Sequence, residues 1–169
     1  MPAMAADWTS ALNRARDHAP FLARALERRP DLARMLVEGA GEEALLAAKQ
    51  VAEADVATAL RRERLGLALV LAVSDLAGAF DLEKVMRELS TFADRALHAA
   101  LAAAIRKRVP DAEPAGMIGL ALGKHGAGEL NYSSDIDPNL PYEPEPPPRR
   151  RPLNPTYPAR STLRCAHGG

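Results

Sequence analysis

The sequence predicts a mainly α fold, in which a bundle of helices leads into the first one or two strands of an α/β unit and then into a proline-rich tail. Alanine and leucine dominate the first hundred residues and aromatic side chains make up only 4% of the chain, which favours packed helices over a β-sandwich. Nine of the fourteen prolines lie in residues 138–169, where they remove the N–H donors that a sheet needs. We therefore predict a helical region (1–109), a partial α/β core (110–137) and an extended or disordered tail (138–169).

The first helices are marked by acidic residues and proline. Asp7 or Thr9 is a candidate cap for a helix that runs through Arg16. Pro30 and Asp31 are typical of the start of another short helix, and the Gly-Ala-Gly sequence at residues 39–41 is expected to end it.

A longer helix is predicted from Glu42 to Leu60, with acidic residues in the first turn, where the helix dipole favours them. The charged residues 61–64, Arg-Arg-Glu-Arg, follow; they could bind an acidic partner, although a solvated helix surface is the simpler interpretation. Residues 65–76 are almost wholly apolar and could form a buried strand or a buried helix. Their length and alanine content favour the helix, in which Gly66 costs about 1 kcal/mol relative to alanine and which Gly78 ends.

The clearest helical pattern begins after Asp81, a candidate N-cap. Apolar residues recur at steps of three and four through Ile105, basic residues 106–108 occupy the last turn, and Pro110 stops the helix. Beyond it, residues 116–123 form a short apolar run bounded by glycine and are predicted to be a buried strand. Residues 123–134 are expected to be a loop, and residues 135–137 to begin a second strand.

Charge and composition exclude several classes of protein. Lys and Arg together number 22, as do Asp and Glu, so a net charge of zero argues against a general binder of nucleic acids or anionic membranes. The single cysteine, Cys165, cannot form an intrachain disulfide and fits a cytoplasmic compartment. The first residues carry charges and lack the apolar core of a secretory signal, and the longest apolar run is too short to cross a bilayer. A soluble protein is expected.

The stretch GKHGAGELNYSSDID, residues 123–137, contains the most specific chemical signal. On a strand, Asp135 and Asp137 project to the same side, and two carboxylates in that arrangement can hold a divalent cation. Glycines let backbone N–H groups approach phosphate oxygens, and Lys124 adds a positive charge. This combination suits two-metal transfer of a phosphoryl or nucleotidyl group. The alternative is a glycine turn followed by solvent-exposed aspartates. His125 could contact phosphate, although an exposed histidine is the simpler interpretation.

Taken as a whole, this stretch resembles the signature of the bacterial glutamine synthetase adenylyltransferases, also called glutamate–ammonia ligase adenylyltransferases, which are polymerase-β-like nucleotidyltransferases. The resemblance covers residues 10–137, most closely from residue 60 onward. It implies a helical bundle followed by the start of an α/β nucleotidyltransferase core, and in particular the half of the enzyme that removes AMP from adenylylated glutamine synthetase.

The resemblance also implies roles for individual residues. Asp135 and Asp137 would be the catalytic ligands of Mg²⁺. Gly126 and the surrounding loop, with Gly123, Lys124 and Ser134, would bind the phosphates of ATP or ADP. The implied partners are glutamine synthetase and a nitrogen-regulatory signal protein in the cytoplasm, with neither nucleic acid nor membrane involved.

The sequence departs from the family pattern immediately after Asp137. The family continues there as an apolar strand, whereas Pro138 follows here, and proline in a central strand removes a hydrogen bond. A third carboxylate is also expected from a later strand, and Glu143 and Glu145 lie on a segment unsuited to supply it. We therefore expect a truncated chain that is either an incomplete enzyme or an inactive helical remnant with at most a binding role.

Overall fold

A computed structural model describes residues 6–111, 113, 117–142 and 165–167 of the chain. The protein divides into two compact units, Met1–Leu89 and Ser90–Gly169. The helices are α1 (Trp8–His18), α2 (Pro20–Arg28), α3 (Pro30–Val37), α4 (Gly41–Lys49), α5 (Val56–Leu76), α6 (Leu82–Arg108) and α7 (Gly123–Gly126), and the strands are β1 (Gly119–Ala121) and β2 (Cys165–His167). The prediction of a mainly α protein is confirmed.

Caps and prolines set the starts of the first helices, largely as predicted. The carboxylate of Asp7 accepts a hydrogen bond of 3.0 Å from the Ser10 N–H, which identifies Asp7 rather than Thr9 as the cap of α1. Pro20 and Pro30 occupy the first positions of α2 and α3, where the missing N–H has no helical partner to lose.

The predicted helix from Glu42 to Leu60 is wrong, because two helices separated by residues 50–55 occupy this segment. Asp55 is the reason for the second start: its carboxylate accepts hydrogen bonds from the N–H (2.8 Å) and the hydroxyl (2.7 Å) of Thr58. These bonds lower the pKa of Asp55, the hydroxyl bond most. Gly41 also differs from its predicted role, since it is the first residue of α4, and the turn after α3 is made at Gly39, where φ is +78°.

Helix α5 forms the centre of the first unit and contacts α1, α2, α3 and α4. The apolar run at residues 65–76 is thus a buried helix and not a strand; its fully buried side chains are Leu67, Leu69, Val70, Leu71 and Val73. Each contributes roughly 1.5–3 kcal/mol by leaving water. Gly66 has a packing reason, because a Cβ there would lie 2.7 Å from Nη1 of Arg29. As predicted, the helix ends at Gly78, where φ is +74°.

The second unit contains the rest of α6, then β1, the single turn of α7, and β2. Strand β1 pairs in parallel with β2, with Leu120 opposite Ala166. On isolated bridges the same segment also pairs antiparallel with the chain after the aspartates, Leu120 with Asn139 and Met117 with Tyr142. The predicted strand at 116–123 is therefore present but shorter. The second predicted strand is not: residues 135–137 have no strand structure.

Pro138 does not prevent the segment after Asp137 from pairing with the segment around β1. Leu120 and Asn139 exchange two backbone hydrogen bonds of 2.9 and 3.3 Å, and the carbonyl of Pro141 accepts a third from Ile118. Neither bridge uses a proline nitrogen, so the prolines do not interrupt this pairing. Most of the tail, including Glu143 and Glu145, lies outside the described residues.

Helix α6 starts as predicted, because the Asp81 carboxylate accepts a hydrogen bond of 2.7 Å from the Lys84 N–H. No helix within the described ranges is long and apolar enough to span a membrane.

Candidate functional site

The loop between β1 and Asp135 begins as a turn closed by its own backbone. Gly123 (φ +57°) and Gly128 (φ +73°) adopt left-handed conformations that favour glycine. The N–H groups of residues 126–129 all donate to carbonyls within residues 122–125, including Glu129 to Lys124 at 2.8 Å. Because these four N–H groups hold the turn, they are already engaged by the protein's own carbonyls. Gly126 contributes shape to the loop.

Two polar residues of α6 hold this loop. The Nε2 atom of His125 lies 2.8 Å from Oδ1 of Asp94, and the hydroxyl of Ser90 accepts a hydrogen bond of 3.2 Å from the Leu130 N–H. Ser90, His125 and Leu130 are all buried, each with 4% of its surface exposed. Ser90 and Asp94 are four residues apart and therefore lie on the same face of the helix.

The burial of His125 corrects the expectation of an exposed histidine. Its partner Asp94 lies 31 residues earlier in the chain, so this contact was not visible in the local sequence. Sequence reasoning also missed Ser90 and Asp94. Their signal was present, because two polar residues four apart interrupt the apolar face of α6 in the stretch between Leu89 and Leu97.

Asn131 organises the end of the loop. Its side-chain oxygen accepts hydrogen bonds from the Ser133 N–H (3.1 Å) and the Ser134 hydroxyl (2.9 Å), while the Ser134 hydroxyl accepts from the Asn131 N–H (3.0 Å). Side-chain closure of this kind fixes a turn without regular secondary structure. The Ser134 hydroxyl is therefore already engaged within the loop, and its structural role is to fix the chain immediately before Asp135.

The two aspartates are accessible although they are not on a strand. Asp135 and Asp137 are exposed, whereas Ser134, Ile136 and Pro138 are half-buried, which is the alternation of an extended segment. Lys124 is also exposed, and among the described residues it forms no ion pair with either aspartate. The structure thus leaves two carboxylates and one ammonium group open to a ligand near the fixed turn.

The carboxylates of Asp135 and Asp137 are the side chains that could hold a cation next to the loop. Within the described ranges no group of three or more His, Cys, Asp and Glu side chains could enclose a metal ion. An exposed pair of carboxylates instead fits Mg²⁺, which keeps several waters and is commonly completed by phosphate oxygens of a substrate. Asp135 and Asp137 are therefore chemically compatible with Mg²⁺ whose coordination is completed by water and phosphate oxygens.

Comparison with known proteins places these features in a family. The family model for glutamate-ammonia ligase adenylyltransferase matches residues 9–154. A bifunctional glutamine synthetase adenylyltransferase/adenylyl-removing enzyme from Caulobacter vibrioides is 46% identical over 75% of this chain and 15% of its own length. Enzymes of the same name from Xanthobacter autotrophicus and Brucella suis are 50% and 34% identical over 50% and 79% of the chain.

No solved structure matches the chain. The alignments cover 10–15% of the length of these three relatives, so the chain corresponds to a small part of each. The family match nevertheless takes in the helices, the loop and both aspartates, and it extends the predicted resemblance beyond residue 137. The chain belongs to the glutamate-ammonia ligase adenylyltransferase family.

Proposed function

We propose that this chain supplies the helical region and the phosphate-binding loop of an enzyme that transfers AMP to and from a tyrosine of glutamine synthetase. The observation that carries this proposal is the position of the loop. A glycine turn tied to α6 by His125 leads through the Asn131 turn directly to the exposed pair Asp135 and Asp137. The whole arrangement lies within the family match.

Different residues in and after the loop would bind the cation and the phosphates of the nucleotide. Asp135 and Asp137 would hold Mg²⁺, which when bound would neutralise phosphate charge and orient the adenylyl group that is transferred. The N–H groups of Gly123 and Lys124, with the Lys124 ammonium, would bind the phosphates of ATP or ADP. Gly126 and Ser134 would keep the turn in shape, and Ser90 and Asp94 would fix its distance from α6.

The pairing around β1 supports the idea that residues 117–142 begin an α/β nucleotidyltransferase core of the polymerase-β type. A strand, one helical turn and a returning segment antiparallel to the strand bring the two aspartates next to the sheet. The proposed setting is the cytoplasm. The proposed partners are glutamine synthetase, after which the relatives are named, and a nitrogen-regulatory signal protein.

A competing proposal is that this chain is an inactive helical remnant with at most a binding role. It is favoured by the finding that the aspartate pair has no third metal-binding side chain beside it among the described residues. The two proposals differ in whether Mg-nucleotide binds at Asp135 and Asp137.

Calorimetry with Mg-ADP and Mg-ATP tests this difference. We expect Asp135→Asn/Asp137→Asn to weaken binding at least tenfold. The matched control is Asp111→Asn/Glu113→Gln, which removes two exposed carboxylates with the same spacing from the same unit, and it should bind like the wild type. A wild-type chain that binds neither nucleotide would support the remnant. Release of ADP from adenylylated glutamine synthetase in the presence of phosphate and magnesium, lost in the aspartate double variant, would support the enzyme.

A further inference from the structure

A groove of about 540 Å³ lies in the first unit, between α2 and the first half of α5. Five of the eight residues that line it are arginines, and none is acidic: Arg28, Arg29, Arg61, Arg62 and Arg64. Such a concentration of guanidinium groups around one groove is unexpected in a chain with zero net charge. Arg61, Arg62 and Arg64 are exposed, as expected for a solvated helix surface, and they also line this groove.

Ion pairs account for only part of this charge. Arg29 is buried and binds both oxygens of Asp31, at 3.0 and 2.8 Å, and Arg62 lies 2.8 Å from Glu53. Among the described residues, Arg28, Arg61 and Arg64 form no salt bridge. The positive charge of Arg61 contributes to lowering the pKa of Asp55. The Asp55 carboxylate, however, already accepts a hydrogen bond from Thr58 as the cap of α5. Three exposed guanidinium groups thus face the groove with their donors available.

Helix stability does not explain the arginines of α5. This helix begins at Val56, so residues 61–64 lie in its N-terminal half, where the dipole gives positive charge no stabilisation. Arg61 and Arg64 are three residues apart on one face and repel each other. By contrast, Arg28 stands at the C-terminal end of α2, where a positive charge is favourable. The cluster on α5 is therefore better explained by a bound anion than by the helix itself.

The other lining residues indicate what kind of anion fits. Phe21 has 48% of its surface exposed and provides an aromatic face at the groove, and Leu65 adds an apolar side chain. Arginine forks bind phosphate with two parallel hydrogen bonds, and an aromatic ring beside them can stack on a planar group. The volume lies within the range typical of small-molecule sites.

We propose that this groove binds a small molecule that carries two or more phosphate groups next to a ring, the chemistry of a nucleoside di- or triphosphate. Arg28, Arg61 and Arg64 would hold the phosphates and Phe21 the ring. This site uses residues of the first unit and needs neither Asp135 nor Asp137. It is therefore independent of the loop at residues 123–137.

The test is a titration of the Asp135→Asn/Asp137→Asn chain with ATP in the presence of EDTA. The substitutions remove the proposed carboxylate pair, and EDTA removes its cation. Saturable binding is expected, weakened at least tenfold by Arg61→Gln/Arg64→Gln and less by Arg61→Lys/Arg64→Lys, which keeps the charge. Arg106→Gln/Arg108→Gln removes the same charge from exposed positions on α6 and should change the Kd less than twofold. Circular dichroism should show unchanged folding, since Arg61 and Arg64 are exposed.

The variant Phe21→Ala and ligands other than ATP test the ring contact and the phosphate contacts separately. Phe21→Ala should weaken ATP severalfold but leave pyrophosphate unchanged. No saturable binding of ATP, or equal weakening by the α5 and α6 arginine variants, would overturn the site. Tighter binding of an acidic peptide or a single-stranded oligonucleotide than of ATP would overturn the small-molecule ligand. Because the aspartates are already replaced, failure here leaves the Mg-nucleotide proposal untouched. Wild-type binding of ATP that does not depend on Mg²⁺ or on the aspartates would contradict the Mg-nucleotide proposal and leave this one standing.

Discussion

The helices of the first unit and the loop at residues 123–134 are held in place by different forces. In the first unit, α5 contributes an unbroken set of buried aliphatic side chains to the core shared with α1 to α4. The loop instead depends on a few hydrogen bonds, His125 to Asp94, Leu130 to Ser90, and the bonds made by Asn131. Apolar packing is non-directional and tolerant, whereas a hydrogen bond fixes position, so polar anchoring suits a loop that must present backbone donors accurately.

The largest expected effect comes from the apolar core. Leu69 is fully buried in α5, and Leu69→Ala should lower the free energy of unfolding of the first unit by about 2–5 kcal/mol, through lost burial and the cavity left behind. Leu46→Ala is the control, because Leu46 has 60% of its surface exposed, and it should cost less than about 0.5 kcal/mol. Urea unfolding followed by circular dichroism measures both. Equal costs for the two variants would contradict the assignment of the core.

An intermediate and more local effect is expected at Ser90. Ser90→Ala leaves the buried Leu130 N–H without its acceptor, which should cost about 1–3 kcal/mol at the loop. Hydrogen exchange of the Leu130 amide should accelerate accordingly, while amides in α5 keep their protection. Thr91→Ala, at the neighbouring exposed position, is the control and should leave Leu130 unchanged. Slower or unaltered exchange in Ser90→Ala would show that the loop is held by other contacts.

The smallest expected effect is electrostatic and concerns the ion pair between Arg29 and Asp31 in the first unit. The hydrogen bond from Arg29 holds the pKa of Asp31 below its ordinary value. The resulting stabilisation is present above the pKa of the unfolded chain and is lost as the pH falls through the lower folded value, in the acid range below about pH 4. About half of the Asp31 side chain is exposed, so solvent screening limits the contribution to less than about 1 kcal/mol.

Asp31→Asn checks this prediction. The variant should be slightly less stable than the wild type at neutral pH, and the difference should shrink on acidification. Asp17→Asn, which replaces an exposed aspartate of α1, is the control and should track the wild type at each pH. A gap between Asp31→Asn and the wild type that widens as the pH falls would contradict the sign of the effect.

The sequence predicted the helical elements well where the signal was local. Asp7, Asp81 and Gly78 were recognised from capping preferences, which depend on a few neighbouring residues. The predicted helix from Glu42 to Leu60 failed between residues 50 and 55. The break there depends on hydrogen bonds that Thr58 donates to the Asp55 carboxylate, which compete with a continuous helix. For residues 65–76, an apolar run by itself is compatible with a strand or a helix, but length and alanine content favoured the helix, and the structure confirms it.

The candidate site shows the same division. Residue order alone determined that a glycine loop precedes Asp135 and Asp137, and this order was sufficient to identify the family. Only the tertiary structure placed Ser90 and Asp94 beside that loop and buried His125. It also gathered five arginines, from α5, the end of α2 and the residue after it, around one groove. Those contacts join residues as much as 40 positions apart, and short-range rules of capping and periodicity carry no information about which distant side chains will meet.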